Sequence, residues 1–423
     1  MPLTPPLSPQ ERGEGAHLER GQSLSDSRRP GRDRRALFVT GAIAAEKEYD
    51  EGASDTEIKL GQTMPYSGPL SIHGIQGRTE VAYFRMLNEE KGGINGRKIN
   101  LISLDDAFSP PKTVEQTRKL VESDGVLALF GSSGTAAQSS VQKYLNSKGV
   151  PQLLVSTGAN KWNQPKAFKW STPAFHLYGT EGEILAKYLL SVKPDAKIAI
   201  LMQNDDFGRD YVSGFKKGLG DKASTMIVKE VTYELTDPTM DSPVAQLKSS
   251  GADVFFNVSL GKAASQSMKK AFELDWKPLQ LVVSPSVGRQ FLEAAGFDSV
   301  TGIIAATPYK QVSSPKWAED PDVVAYQAFM KKYLPNEDPK NEIGVAVYSF
   351  AYIMGKIIEA CGDNLTRENL LYQATHLNNV PAPSLLPGTT YSTTPDNYVP
   401  FKRLVVQKFD GNDWIQVTAV TVD

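Results

Sequence analysis

Cysteine is nearly missing from this chain. Cys361 is the only one in 423 residues, so no disulfide can close within it. A thiol-poor composition suits an export compartment without assigning one. Histidine is scarce as well: His17, His73, His176 and His376 lie far apart, and no Cys/His cluster has the spacing of a metal site. Charge of one sign is missing too. Lys and Arg number 46 against 48 Asp and Glu, a net −2, which argues against a nucleic-acid partner or an anionic membrane surface. No uninterrupted apolar run approaches the roughly 20 residues of a membrane span. Catalytic signatures are also absent. There is no G-x-S-x-G elbow. GSSGTAAQ, Gly131 to Gln138, follows a strand and opens a helix. It lacks the third glycine of a dinucleotide fingerprint and the Gly-Lys-Ser/Thr of a P-loop. No cofactor and no enzymatic activity are expected.

What is present is a large apolar fraction. At 40% hydrophobic content a chain this long can bury a sizeable core, divided between two domains. Residues 1–50 are expected to form a disordered N-terminal extension. The first 35 are rich in Pro, Arg, Ser and Gly and almost free of large apolar side chains. Ala36 to Ala45, ALFVTGAIAA, then follows a basic stretch and ends in small residues. Two readings are open: a secretory signal behind an extended start, or simply more of the tail.

From Glu57 onward strand patterns alternate with helical ones. Glu57–Thr63 and Lys98–Leu104 open the series, Gly302–Ala306 closes it, and helices such as Gly77–Glu90 and Thr135–Ser147 lie between. Strands separated by helices of this length imply βαβ units and parallel sheets. After Thr307 the pattern changes. Helical stretches at Asp320–Tyr333, Glu342–Ala360 and Arg367–Thr375 precede a turn-rich segment, Asn378 to Tyr398. The end, Phe401–Val417, reads as a hairpin turning at Asp410-Gly411-Asn412. This order makes sense if the chain crosses between two lobes more than once.

Ligands of open α/β sheets sit beyond the carboxyl ends of strands. The loop YSGPLSIHG, Tyr66 to Gly74, occupies such a place and carries His73. GSSGTAAQ occupies another. Backbone N–H groups at a helix N-terminus bind anions, and the hydroxyls of Ser132, Ser133 and Thr135 add donors, which suits a carboxylate. The competing reading is that these residues only cap helices. The pairs Asp105-Asp106 and Asp205-Asp206 are read as caps and turns.

Several segments resemble the solute-binding proteins of branched-chain amino-acid ABC importers. They are MPYSGPLSIHG, NEEKGGINGRKINLISLDD, VPQLLVSTGA, KIAILMQNDDFGRDYVSGFKKGL and LKSSGADVFFNVSLGKAASQSMKKAFELDW. Their order and spacing extend the resemblance from about Thr56 to Thr418. It implies an α/β fold of two Rossmann-like lobes with parallel sheets, joined by three crossovers around an interlobe ligand cleft: the type I periplasmic binding fold. Lobe one would be 56–176 plus 308–385 and lobe two 177–307 plus 390–423. It also implies a periplasmic, monomeric protein that hands a small carboxylate to an ABC permease in the inner membrane. The rival is a ligand-sensing regulator or receptor with the same two lobes.

The resemblance implies site residues as well. The loops holding Ser133 and Thr135, and Ser156 to Asn160, would meet the ligand carboxylate. Gly158 and Asn160 stand where the family places a backbone donor and a Thr hydroxyl. Phe207 stands where a Tyr lies along the ligand, and His73 where Tyr or Trp faces the cleft. Ser286 and Tyr178 stand where amino-acid binders keep carboxylates for the ligand ammonium. That departure favours an aromatic or desamino acid.

Overall fold

The computed structural model describes residues 47–401 and 403–421. Expectations for the tail and the signal pattern upstream of residue 47 lie outside the described residues.

Five strands form the first sheet: β1 (Glu57–Met64), β2 (Lys98–Asp105), β3 (Ala128–Phe130), β4 (Gln152–Val155) and β5 (Ser171–Pro173). All pair in parallel, in the order β2-β1-β3-β4-β5. The order reverses direction at β1, so a crevice opens at the carboxyl ends of β1 and β3. Helix α1 (Ile75–Lys91) stops at Gly92, whose left-handed φ of 73° lets its N–H return to Leu87 O. One face of the sheet is covered by α1 and by the long helix Glu342–Cys361, around Phe84, Phe130 and Tyr348. The other face packs Leu129 against Leu120 of helix α2 (Pro110–Glu122) and against Val141 and Leu145, which are spaced to share one face of the following helix.

The second sheet contains β6 (Ile198–Gln203), β7 (Ile227–Tyr233), β8 (Val254–Val258), β9 (Leu279–Val282), β10 (Ile304–Thr307), β11 (Arg403–Phe409) and β12 (Trp414–Thr421). Its order is β12-β11-β10-β9-β8-β6-β7. Every residue of β8, VFFNV, is buried, as befits a central parallel strand covered on both faces. The hairpin β11–β12 adds antiparallel to β10. It turns where Asp410 Oδ1 accepts from the N–H groups of Asn412 and Asp413.

The chain therefore changes lobe three times among the described residues. Ala174 lies in the first core and Tyr178 in the second; Ala306 in the second and Tyr309 in the first; Phe401 in the first and Leu404 in the second. The two lobes are those of a type I periplasmic binding fold.

Three features depart from the sequence reading. Residues 48–50 are not a disordered tail: Glu48–Tyr49 pairs in parallel with Asn364–Leu365, and Asp50 Oδ2 accepts from Arg367 N at 2.7 Å. Tyr391 and Phe401 stay with the first core, although residues from 390 on were expected in lobe two. Isolated bridges Tyr309↔Leu385 and Val380↔Tyr391 pin this turn-rich segment, which has no periodicity to betray its partner. Strand β5 was not foreseen, because three residues ending in proline carry no alternation. Helix Glu342–Cys361 is long and apolar enough to cross a membrane by composition, yet it is largely buried in the first core.

Candidate functional site

The carboxyl ends of the two sheets face a common cleft, and loops from both lobes line it. After β1 a short 3-10 turn, Ser71–Gly74, turns His73 inward until it is only 8% exposed. Burial depresses its imidazole pKa to about 4, so the ring is neutral.

After β3 comes Gly134, the N-cap of helix α3 (Thr135–Lys148), at φ 100°. A Cβ there would lie 2.3 Å from the Phe108 ring, so the position requires glycine. No side chain caps this helix. The hydroxyls of Ser133 and Thr135 are not used as caps of this helix. Thr135 Oγ1 instead meets Thr157 Oγ1 at 2.7 Å, joining the loops that follow β3 and β4. Ser156 Oγ lies 3.5 Å from Gln76 Oε1.

Lobe two supplies the opposite wall. Tyr178 opens helix α4 (Tyr178–Val192), and Asp206 opens α5 (Asp206–Leu219). The Tyr178 ring stacks on Tyr211 at 4.7 Å and meets Phe207 edge-on at 5.1 Å. Burial pushes the Tyr178 hydroxyl up to about 12, against smaller opposing effects of the Thr157 hydroxyl, the Gly158 backbone and the Thr135 hydroxyl. Tyr178 lines the same space as Thr135. Beneath it lies Glu181, fully buried. It accepts from Tyr211 Oη at 2.7 Å, from Ser284 N at 2.7 Å and from Ser284 Oγ at 2.8 Å, and meets His176 Nε2 at 2.7 Å. This network fixes the Ser284-Pro285 rim relative to the aromatic wall.

Asp205 caps α5, accepting from Gly208 N at 3.2 Å and from Gln203 Nε2 at 2.7 Å. Burial raises its pKa. It also lines the cleft, so one carboxyl group faces the same space as the hydroxyl cluster.

Direct bonds tie the lobes across the cleft. Asn160 N donates to Asp210 Oδ2 at 2.7 Å and Lys161 Nζ to Asp206 Oδ2 at 2.8 Å. Arg289 N donates to Glu342 Oε2 at 2.7 Å and Ser314 Oγ to Asp413 Oδ2 at 2.6 Å. Such contacts belong to a closed arrangement of two hinged lobes.

Two adjoining spaces make up the cleft, of about 60 and 90 Å³. The smaller is lined by His73, Ser133, Thr135, Ser156, Tyr178 and Phe207, all expected from the sequence. Gly158, Asn160 and Ser286 line neither space. Gly158 packs under the crossover, where a Cβ would sit 2.3 Å from His176 O. Asn160 is spent on the lobe–lobe seam, its Oδ1 accepting from Gly179 N at 3.2 Å. Ser286 is fully buried and turns away, its Oγ donating to Ser259 O at 2.6 Å. Phe108, Phe175, Gln76, Asp205 and Pro285 also line the cleft, where the sequence did not place them. Phe108 sits at φ 58°, a conformation no motif announces. Phe175 lies on the first crossover, and Asp205 was seen as the cap that it also is.

Residues 57–411 match the family described as periplasmic binding protein. The chain is 24% identical over 331 residues to the leucine-, isoleucine-, valine-, threonine- and alanine-binding protein of Pseudomonas aeruginosa, covering 77% of this chain and 84% of the relative. Among solved structures it is similar to a branched chain amino acid ABC transporter protein of Thermus thermophilus with bound valine. That likeness has a TM-score of 0.77 and 17% identity, over 88% of this chain and 97% of the other. It is also similar to a solute-binding protein of an ABC transporter from Rhodopseudomonas palustris in complex with 3,4-dihydroxy benzoic acid. Here the TM-score is 0.75 and the identity 18%, over 88% and 99% of the two chains.

Proposed function

This chain belongs to the periplasmic binding protein family, and from that premise we propose that it is the periplasmic solute-binding component of an ABC importer. It takes a small carboxylate into the interlobe cleft, closes over it by hinge motion, and delivers it to an inner-membrane permease without catalysing a reaction. It acts as a monomer. The lobes are 56–176 plus 308–385, extended to Phe401, and 177–307 plus the terminal hairpin.

The observation that carries this reading is the Thr135 hydroxyl, which lines the cleft at an N-terminus of α3 that no side chain caps and is backed by Thr157 Oγ1 at 2.7 Å. A carboxylate there meets hydroxyls and helix-end N–H groups together. Ser133, Ser156 and Tyr178 line the same space, while Phe207 and His73 wall the rest. The aromatic wall favours a flat or aromatic acid lacking an α-ammonium.

A second reading has a specific observation behind it. Asp205 lines the same space, and an α-ammonium could pair with its carboxylate. Calorimetry on two matched pairs separates them: phenylalanine against 3-phenylpropanoate, and leucine against 4-methylpentanoate. Tighter binding of both desamino acids supports the first reading. Tighter binding of both amino acids, abolished by Asp205→Asn, supports the second.

A further inference from the structure

The larger space of the cleft lies on the hinge side and has its own chemistry. Apolar groups dominate it: Phe175 from the first crossover, Tyr309 from the second, and Phe291, Val345 and Ala346. His73, Gln76, Phe175 and Pro285 line both spaces, so a single ligand can extend from one into the other. Polar groups interrupt the apolar wall, and three of the lining atoms, Nε2 of His73, Nε2 of Gln290 and Oη of Tyr309, are buried with no hydrogen-bond partner among the described residues. Buried polar groups are ordinarily paired, and an orphan costs more than a hydrogen bond normally contributes. A branched aliphatic side chain in this space would leave all three atoms unpaired.

The charges around the space are already committed. Lys310 Nζ donates to Asp320 at 2.8 and 2.9 Å and to Asp322 at 3.1 Å. Glu342 accepts from Arg289 N at 2.7 Å and from Ser313 Oγ at 2.6 Å. His73 is held neutral by its burial. No free cation among the described residues lining this space is available to balance a second carboxylate, and the Glu342 carboxyl would repel one.

Resting on the carboxylate reading above, we propose that the ligand is bifunctional: a carboxylate at the Thr135 end, and an uncharged oxygen acceptor at the far end that receives the N–H groups of His73 and Gln290. The substrate class is a hydroxy-, keto- or ether-substituted apolar acid. An unsubstituted aliphatic acid and a dicarboxylate both fall outside it.

The test is calorimetry on the full chain with three acids of one shape: 3-(4-hydroxyphenyl)propanoate, 3-(4-methylphenyl)propanoate and 3-(4-carboxyphenyl)propanoate. The hydroxyl compound should bind about fivefold tighter than its methyl isostere, and the dicarboxylate weaker than both. His73→Phe and Gln290→Leu should each reduce the hydroxyl-to-methyl ratio. Should His73→Phe fail to fold, Gln290→Leu, at a half-buried position, carries the test alone. Equal binding of hydroxyl and methyl compounds overturns the inference and leaves the carboxylate reading standing. So does a hydroxyl preference that both variants retain, or tightest binding of the dicarboxylate. Failure of all three acids to bind overturns the carboxylate reading, and the inference with it.

Discussion

Replacing Thr135 by valine removes one hydroxyl and almost no volume. In the free protein the change loses the 2.7 Å bond to Thr157 Oγ1. Thr157 Oγ1 keeps a second contact, accepting from Ala159 N at 3.3 Å. The loss to stability is one neutral hydrogen bond, about 1 kcal/mol. Helix α3 is untouched, because its cap is Gly134 and uses no side chain. The loss to binding is larger, since the missing partner is a charged carboxylate: about 1.5–3 kcal/mol, or roughly 10- to 150-fold in Kd. Thr157→Val removes the same bond from behind Thr135 and should weaken binding less, because Thr157 lines neither space of the cleft. Calorimetry with 3-phenylpropanoate, alongside thermal melts, reads both quantities. A Thr135→Val protein that melts near wild type and binds with wild-type affinity would refute the reasoning, leaving the pair as packing between two loops.

Three further outcomes are expected. Glu80 is fully buried, neither of its carboxyl oxygens has a hydrogen-bond partner among the described residues, and burial holds its carboxyl well above the ordinary range. A raised folded-state pKa gives stability that is complete below the ordinary carboxyl range and is lost as pH rises through the folded value. Glu80→Gln should therefore melt higher than wild type at pH 8 and converge with it in acid; an equal or lower melting temperature at pH 8 would contradict this. Gly134→Ala meets both an unfavourable φ of 100° and the Phe108 ring. It should destabilise by about 1–3 kcal/mol and weaken ligand binding, and a wild-type melt would refute the close approach. The cross-lobe pair Lys161–Asp206 is partly exposed, at 31% and 41% of its side chains, so Lys161→Ala should cost at most about 1 kcal/mol. Hydrogen bonds from Lys161 and Arg209 hold Asp206 below the ordinary range, so the pair persists at neutral pH and fails as pH falls through the folded value. Small-angle scattering of the ligand-free protein should show a larger radius of gyration for the variant at pH 7 and a smaller difference in acid.

The fold was legible where strands are buried on both faces. VFFNV and KIAILM read as continuous apolar runs between helical patterns, and that is the signature of a parallel sheet. Elements too short for a period were illegible: Ser171–Pro173, Glu48–Tyr49, and the proline-bearing segment that carries Tyr391 into the first core. The site was legible in its loops, because the carboxyl ends of β1, β3 and β4 are where a parallel sheet opens. Side-chain direction within those loops was not. Ser286 closes a 3-10 turn, Ser284–Ser286, whose first two residues line the cleft while its last points back at Ser259 O. A rotation of one residue decided that outcome, and nothing in the residue types encodes it. Asp205 shows the same limit: a cap by composition, a cleft carboxyl group only by geometry.

The most direct measurement compares 3-phenylpropanoate with 3-phenylpropanamide by calorimetry on the full chain. The two differ only in whether the head group carries a charge for Thr135 and the end of α3 to receive. A charge-assisted hydrogen bond here makes the acid at least about tenfold tighter. Equal affinity for the amide, or binding of neither, would contradict a cleft built for a carboxylate.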